Sequence, residues 1–221
     1  MSTVGRTQDP TLDEPTPVPS VDPVAVRAAH LLRRAAEGDR TAFGQLVILY
    51  QDRMFNAVLR IVGDRDDASE LTQEAFARAL AALPDFRGDA HPYTWLFRIA
   101  LNLAISRLRQ DRRRRTFSLD QPTNGRGNRP ADQASALVDR MRGQSPDPAA
   151  TAERRERAEQ VLAALGRVDA EHRAVLVMRD VDGLDYQQMA DVLDLPLGTL
   201  KSRLFRARVA LRDELKTYMK G

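Results

Sequence analysis

Residues Tyr186–Arg203 read YQQMADVLDLPLGTLKSR, and the spacing within them decides the fold. A helix-turn-helix needs a small residue where its helices cross, a tight turn, and an apolar anchor on the second helix. Ala190 supplies the small residue, Asp194-Leu195-Pro196 the turn and Leu200 the anchor. Asp194 stands where glycine is usual, and Asp tolerates left-handed backbone angles better than most residues. The pattern predicts helices over Tyr186–Leu193 and Leu197–Tyr218. On the second, Thr199, Lys201, Ser202, Arg203, Arg206 and Arg208 make a polar, mostly basic face. Such a helix suits entry into a DNA major groove, where Arg and Lys reach guanine acceptors. A plain helical hairpin with a solvated basic face is the alternative. The coincidence of small residue, turn, anchor and basic face favours DNA binding.

Upstream, Glu153–Leu165 and Ala170–Arg179 read as two more amphipathic helices around a Gly166–Asp169 turn. Before them, Pro122, Gly125, Gly127, Pro130, Gly143, Pro146 and Pro148 interrupt any periodicity, apart from a short helical pattern at Ser135–Met141. This predicts a flexible linker over 116–152, separating a domain at 26–115 from one at 153–221. Residues 1–25 hold five prolines and few large apolar side chains, and read as a disordered tail.

The first domain is also helical throughout. Thr41 is placed to cap a helix carrying Phe43, Leu46, Val47, Tyr50, Met54, Val58, Leu59 and Val62, which Gly63 ends. Asp64 caps the next, whose inner face is Ala68, Leu71, Ala75, Phe76, Ala79 and Leu80. A polar loop between Pro84 and Pro92 leads to a long helix that carries Leu96, Ile99, Leu103 and Leu108 and ends in Arg112–Arg115. Aromatics and arginines cluster in FRGDAHPYTWLFRIALN, Phe86–Asn102. That mixture suits unstacked bases and phosphates, though taken alone the pattern favours a core role for Trp95 and Phe97. At least one of Tyr93, Trp95 and Phe97 is expected to be buried, since successive helical positions cannot all face outward. On the acidic helix, Asp64, Asp66 and Asp67 are explained by the helix dipole; Glu70 and Glu74 are not. A partner surface and a solvated face both remain open for them.

Composition narrows the class further. Of 221 residues, 43% are hydrophobic and 29% charged, within ordinary globular usage, and only 5% are aromatic. Cysteine is absent and the three histidines lack ligand spacing, so a metal or thiol enzyme is not expected. No nucleophile–base pair or phosphate loop stands out, and neither catalysis nor a cofactor is expected. No apolar run approaches the roughly 20 residues of a membrane span, and no signal-peptide core is present, so the expected location is cytoplasmic. The net charge of +3 is strongly segregated. Residues 64–90 carry −4, 91–115 carry +6, 153–195 carry −4 and 196–221 carry +5. The basic blocks suggest two surfaces that face a polyanion; the second acidic block has no evident partner.

The ordered motifs DDASELTQEAFARAL, FRGDAHPYTWLFRIALN and DGLDYQQMADVLDLPLGTLKSRLFRAR resemble those of bacterial RNA polymerase sigma factors. The resemblance is to the sigma-70 family's extracytoplasmic function group, nearest its envelope-stress branch, and covers about 27–115 and 153–218. It implies an all-α fold of two small helical domains, a region 2 bundle and a region 4 helix-turn-helix, joined by the linker. It implies a non-enzymatic function: binding core RNA polymerase, recognising and melting promoters, and starting transcription at a specific set of them. Asp66, Asp67, Glu70, Leu71, Gln73, Glu74 and Phe76 would dock on the β′ coiled coil, and region 4 on the β flap. Arg87, Asp89, His91 and Tyr93 would capture a flipped base of the −10 element, with Thr94, Trp95, Arg98, Asn102 and Arg109 on the duplex edge and phosphates. Thr199, Lys201, Ser202, Arg203, Phe205, Arg206 and Arg208 would read the −35 element. Promoter DNA and core polymerase are the implied partners, with an anti-sigma factor as one the family often uses. Primary sigma factors carry two adjacent tryptophans for melting, whereas Leu96 follows Trp95 here. That departure implies greater reliance on base capture and stringent promoter choice. A free-standing helix-turn-helix regulator would leave the aromatic–arginine loop unexplained, and a nucleic-acid enzyme lacks its catalytic set.

Overall fold

The computed structural model describes residues 22–86, 91–117 and 160–218, which form helices and short connections without a strand. The sequence dictates most boundaries through its caps. Helix α1 (Pro23–Ala36) starts where Asp22 accepts the Val24 amide and Pro23 occupies the first turn, so its first residues lie within what reads in sequence as the tail. Helix α2 (Arg40–Val62) is capped by Asp39 rather than Thr41: the Asp39 carboxylate accepts the Ala42 N–H at 3.0 Å. Arg34 also grips Asp39, at 3.1 and 2.5 Å. The Ala42 amide and then Arg34 hold the Asp39 pKa below its usual range.

Gly63 closes α2 at φ +78°, donating to the Leu59 carbonyl at 2.8 Å. Asp64 then caps α3 (Arg65–Ala82), accepting the Asp66 and Asp67 amides at 2.9 Å each. A 3-10 turn at Leu83–Asp85 follows, and α4 spans Pro92–Phe117, two residues beyond the basic run. Residues 160–167 form α5. Helix α6 (Ala170–Leu176) does not continue as α to Arg179; it widens into a π turn at Val177–Val181, with the Asp182 N–H bonding the Val177 carbonyl at 2.8 Å. Helices α7 (Tyr186–Leu193) and α8 (Leu197–Tyr218) match the sequence expectation, and Asp194 between them is left-handed at φ 52°. The expected helices at Ser135–Met141 and over 153–159 lie outside the described residues.

The apolar stripes of these helices meet in one continuous core. Leu46, Met54, Ile61, Leu96, Phe97 and Leu101 fill it within α2 and α4, and Met178, Leu184, Met189 and Leu200 within α6–α8. Ala190 and Leu200 are both buried, as the helix-turn-helix spacing requires. Leu80 is the exception on α3: expected inward, it is 43% exposed. Fourteen residues along from Asp66 at 100° each, it returns to the outer face rather than the core.

Arg173 joins the halves. Its Nη1 donates to the Ile61 carbonyl at the end of α2 at 2.6 Å. Its Nη2 reaches the Gly166 and Val168 carbonyls at 2.6 and 3.0 Å. Burial pulls the guanidinium's pKa down, and the three carbonyl dipoles compensate the desolvated charge. Arg173→Ala leaves those carbonyls short of donors and should lower the unfolding free energy by about 2–4 kcal/mol in urea denaturation, with Arg173→Lys recovering part of it. A loss within experimental error would show that the carbonyls rehydrate freely.

Candidate nucleic-acid interface

Helix α8 divides cleanly into an anchoring side and an offered side. Leu200, Leu204 and Ala207 are fully or nearly fully buried, which turns Thr199, Lys201, Ser202, Phe205 and Arg206 outward. Phe205 is 69% exposed, an unusual position for a large aromatic. Ser202 Oγ sits 2.8 Å from the Gly198 carbonyl, so its proton stays in the helix while its lone pairs face out. Arg206 is exposed, its Nε 3.3 Å from the Ser202 carbonyl. Lys201 and Arg179 approach the Tyr186 ring, at 5.9 and 5.0 Å from its centroid. Arg203 and Arg208 are already partnered: Arg203 lies 3.3 Å from Glu171, and Arg208 pairs with Asp180 at 2.5 Å.

The second basic surface is more enclosed. Arg98, Asn102 and Arg109 are exposed along α4, but Tyr93, Thr94 and Trp95 are buried and His91 is half-buried. Phe97 is buried as well, so the whole aromatic trio packs inward. Trp95 leans on Phe86 with centroids 5.1 Å apart, and Tyr93 lies between Tyr50 and Phe97 at 5.3 and 5.6 Å. Arg87 and Asp89 lie outside the described residues.

What covers Tyr93 comes from the other half of the chain. Its hydroxyl bonds an Asp182 carboxylate oxygen, and the Arg53 guanidinium stacks over its ring at 3.7 Å. Arg53 also donates to the Asp182 backbone carbonyl at 2.9 Å. Burial, reinforced by Asp182, pushes the Tyr93 phenol well above its ordinary pKa. Burial raises the Asp182 carboxyl too, against the Tyr93 bond and the charges of Arg53 and Arg60. Farther along, Glu171 reaches Arg109 at 2.9 Å while also facing Arg203. The acidic block at 153–195 therefore has partners, and they are residues of the two basic surfaces.

The acidic face of α3 is only partly what the motif suggests. Asp66, Glu70 and Gln73 are exposed and share one face, whereas Leu71 and Phe76 are buried in the core. Leu80 completes the exposed face in their stead. The local charges are paired: Arg107 reaches Asp67 at 3.2 Å and Glu70 at 2.8 Å, and Glu74 holds Arg78 at 2.5 Å. For Asp67, burial is the leading influence and raises its pKa despite Arg107. Sequence reasoning missed Arg53, Arg60, Glu171 and Asp182. The segregated charge blocks were the available signal, and they carry no information on which residues meet.

Comparison with known proteins agrees with this architecture. Residues 46–114 match the family model for sigma-70 region 2, and 158–211 that for sigma-70 region 4. The chain is 33% identical over 197 residues to the RNA polymerase sigma-H factor of Pseudomonas aeruginosa, covering 86% of this chain and 94% of that one. It is 33% identical over 189 residues to the ECF RNA polymerase sigma-E factor of Escherichia coli, covering 84% and 93%. The solved structure of CnrH in complex with the cytosolic domain of CnrY matches with TM-score 0.57 and 25% identity, covering 86% of this chain and 98% of that one. The chain belongs to the sigma-70 family, in its extracytoplasmic function group. Such factors direct RNA polymerase to promoters and leave the catalysis to the polymerase. Among the described residues, no helix is long and apolar enough to cross a membrane.

The half-buried His91 gives the enclosure a pH dependence. Burial first, and Arg53 second, lower its pKa from 6.5, with Asp22 and Asp185 opposing. The folded chain thus holds His91 neutral, while the unfolded chain takes up the proton first as pH falls. Its contribution is present above pH 6.5 and is lost below it, toward the depressed folded value. Thermal unfolding between pH 8 and about pH 5 should show a steeper acid loss for the native chain than for His91→Gln. Parallel profiles would remove His91 as the cause.

Proposed function

We propose that this protein is a promoter-specificity subunit nearest the sigma-E branch, in which region 2 (26–115) engages core polymerase and the −10 element and region 4 (153–221) reads the −35 element. The observation that carries the reading is the α8 face, where Thr199, Lys201, Ser202, Phe205 and Arg206 project over the buried Leu200, Leu204 and Ala207. That arrangement presents donors to base edges while the helix is held rigidly from behind. On region 2, the exposed Arg98, Asn102 and Arg109 suit phosphates, and by the family resemblance the loop over 87–91 captures an unstacked base for melting. The exposed Asp66, Glu70, Gln73 and Leu80 face of α3 suits docking on the polymerase β′ coiled coil, and region 4 docks on the β flap. An anti-sigma protein is a further partner, supported by the similarity to CnrH, whose structure contains the cytosolic domain of CnrY.

Run-off transcription with purified core polymerase on genomic fragments tests the reading. Initiation at a discrete set of promoters, dependent on this chain, is the expected result; absence of both core binding and initiation would overturn it. Arg206→Ala should cost about 1–3 kcal/mol of promoter affinity and relax selectivity at one −35 position in a binding-site selection assay. A uniform loss across all −35 variants would make Arg206 a phosphate contact.

Glu70→Lys with Glu74→Lys should reduce core affinity in a pull-down titration. The fold should survive, because exposed ion pairs such as these contribute about 0–1 kcal/mol each. Unchanged core affinity would remove α3 from the docking surface.

A further inference from the structure

Two donors from a surface that otherwise belongs to region 2 converge on Asp182, one on its carboxylate and one on its backbone carbonyl. The Tyr93 hydroxyl bonds the carboxylate directly, and Arg53 sits over the same ring while holding the Asp182 backbone carbonyl. Arg60, about two helical turns farther along α2, adds a more distant positive charge. Burial works against charge on Asp182 and on the Tyr93 phenol. The cluster offers donors and positive charge and no carboxylate of its own, so its chemistry is that of an anion site. Asp182 reaches it from outside, on the chain just after the π turn of α6, and Glu171 repeats the pattern between Arg109 and Arg203.

We propose that Arg53 and the Tyr93 hydroxyl form a binding site for a backbone phosphate of the unpaired promoter strand, and that the Asp182 carboxylate occupies it in the free chain. The assignment rests on the reading of the adjacent α4 surface as facing the −10 element. It adds Arg53 on α2, which no motif marks. A phosphodiester carries the same single charge as the carboxylate and accepts the same donors, so it replaces Asp182 when region 4 moves away. Phosphate contacts of this kind set register and leave sequence reading to the bases. The free factor thereby screens its own single-strand surface.

The test uses the full chain and a fluorescent oligothymidylate, which presents phosphates without promoter sequence. Asp182→Ala should tighten oligothymidylate binding by about three- to tenfold at low salt. Asp191→Ala removes an equal charge from an exposed position on α7 and sets the baseline for bulk electrostatics. Adding Arg53→Ala to Asp182→Ala should cancel the gain and lower the salt dependence of log K by roughly 0.7. Asp182→Asn, which keeps the shape and the backbone bond, should reproduce most of the gain. Circular dichroism confirms that each variant is folded. A gain no larger than that of Asp191→Ala, or one that survives Arg53→Ala, overturns the proposal. Run-off transcription in parallel separates the two levels: promoter-dependent initiation with no gain in Asp182→Ala refutes the phosphate site alone, whereas no initiation by the native chain refutes the promoter reading.

Discussion

A buried guanidinium cannot be left without acceptors, and Arg173 meets that demand by bonding carbonyls from both halves of the chain. Ile61 lies at the end of α2, and Gly166 and Val168 flank the join between α5 and α6. These bonds seat α6 against α2. The π turn follows at once, and its geometry delivers Asp182 to Tyr93 and Arg53. The helix-turn-helix hangs from that turn, so one charged side chain sets where the recognition helix stands relative to region 2.

Electrostatics then explains why a nearly neutral chain has such uneven blocks. The acidic stretch at 153–195 meets basic residues of α2, α4 and α8 through Asp182, Glu171 and Asp180. The pairs made by Glu171 and Asp180 lie at the surface, where each contributes little on its own. Asp182 is different, because burial of Tyr93 beneath it removes the competing solvent. A polyanion approaching the same surface competes with these carboxylates directly. Under the proposed function, the contacts made by these carboxylates and DNA binding are alternatives for one set of cations.

The helices were legible in sequence because their signals are local. Asp64, Gly63 and Asp194 act on neighbours within a few residues, and Ala190 and Leu200 are related by the fixed offset of a helix-turn-helix across a short turn. The errors have the same local character. Asp39 outcompetes Thr41 because a carboxylate one residue before α2 bonds both the Ala42 amide and Arg34. Leu80 drifts off the inner face at the end of a long count. For the site, the outward position of Thr199, Lys201, Ser202 and Arg206 was legible, and so was the burial of Leu71 and Phe76, which helical periodicity places inward although the family motif names them for docking; the burial of Thr94 was not. A motif names residue types, and the neighbouring helix decides which of them reach solvent. The Arg53–Tyr93–Asp182 cluster was invisible for a stronger reason: its members are far apart in sequence, and no periodicity relates them.

If the proposal holds, the surface facing region 4 in the free chain becomes available when the factor joins polymerase. Hydrogen–deuterium exchange on the full chain, alone and bound to core polymerase without DNA, reads this segment by segment. Exchange over 177–185 and at the start of α4 should be slow in the free chain and faster on polymerase, with the α2–α4 interior still protected. Equal or slower exchange over 177–185 in the complex would contradict it.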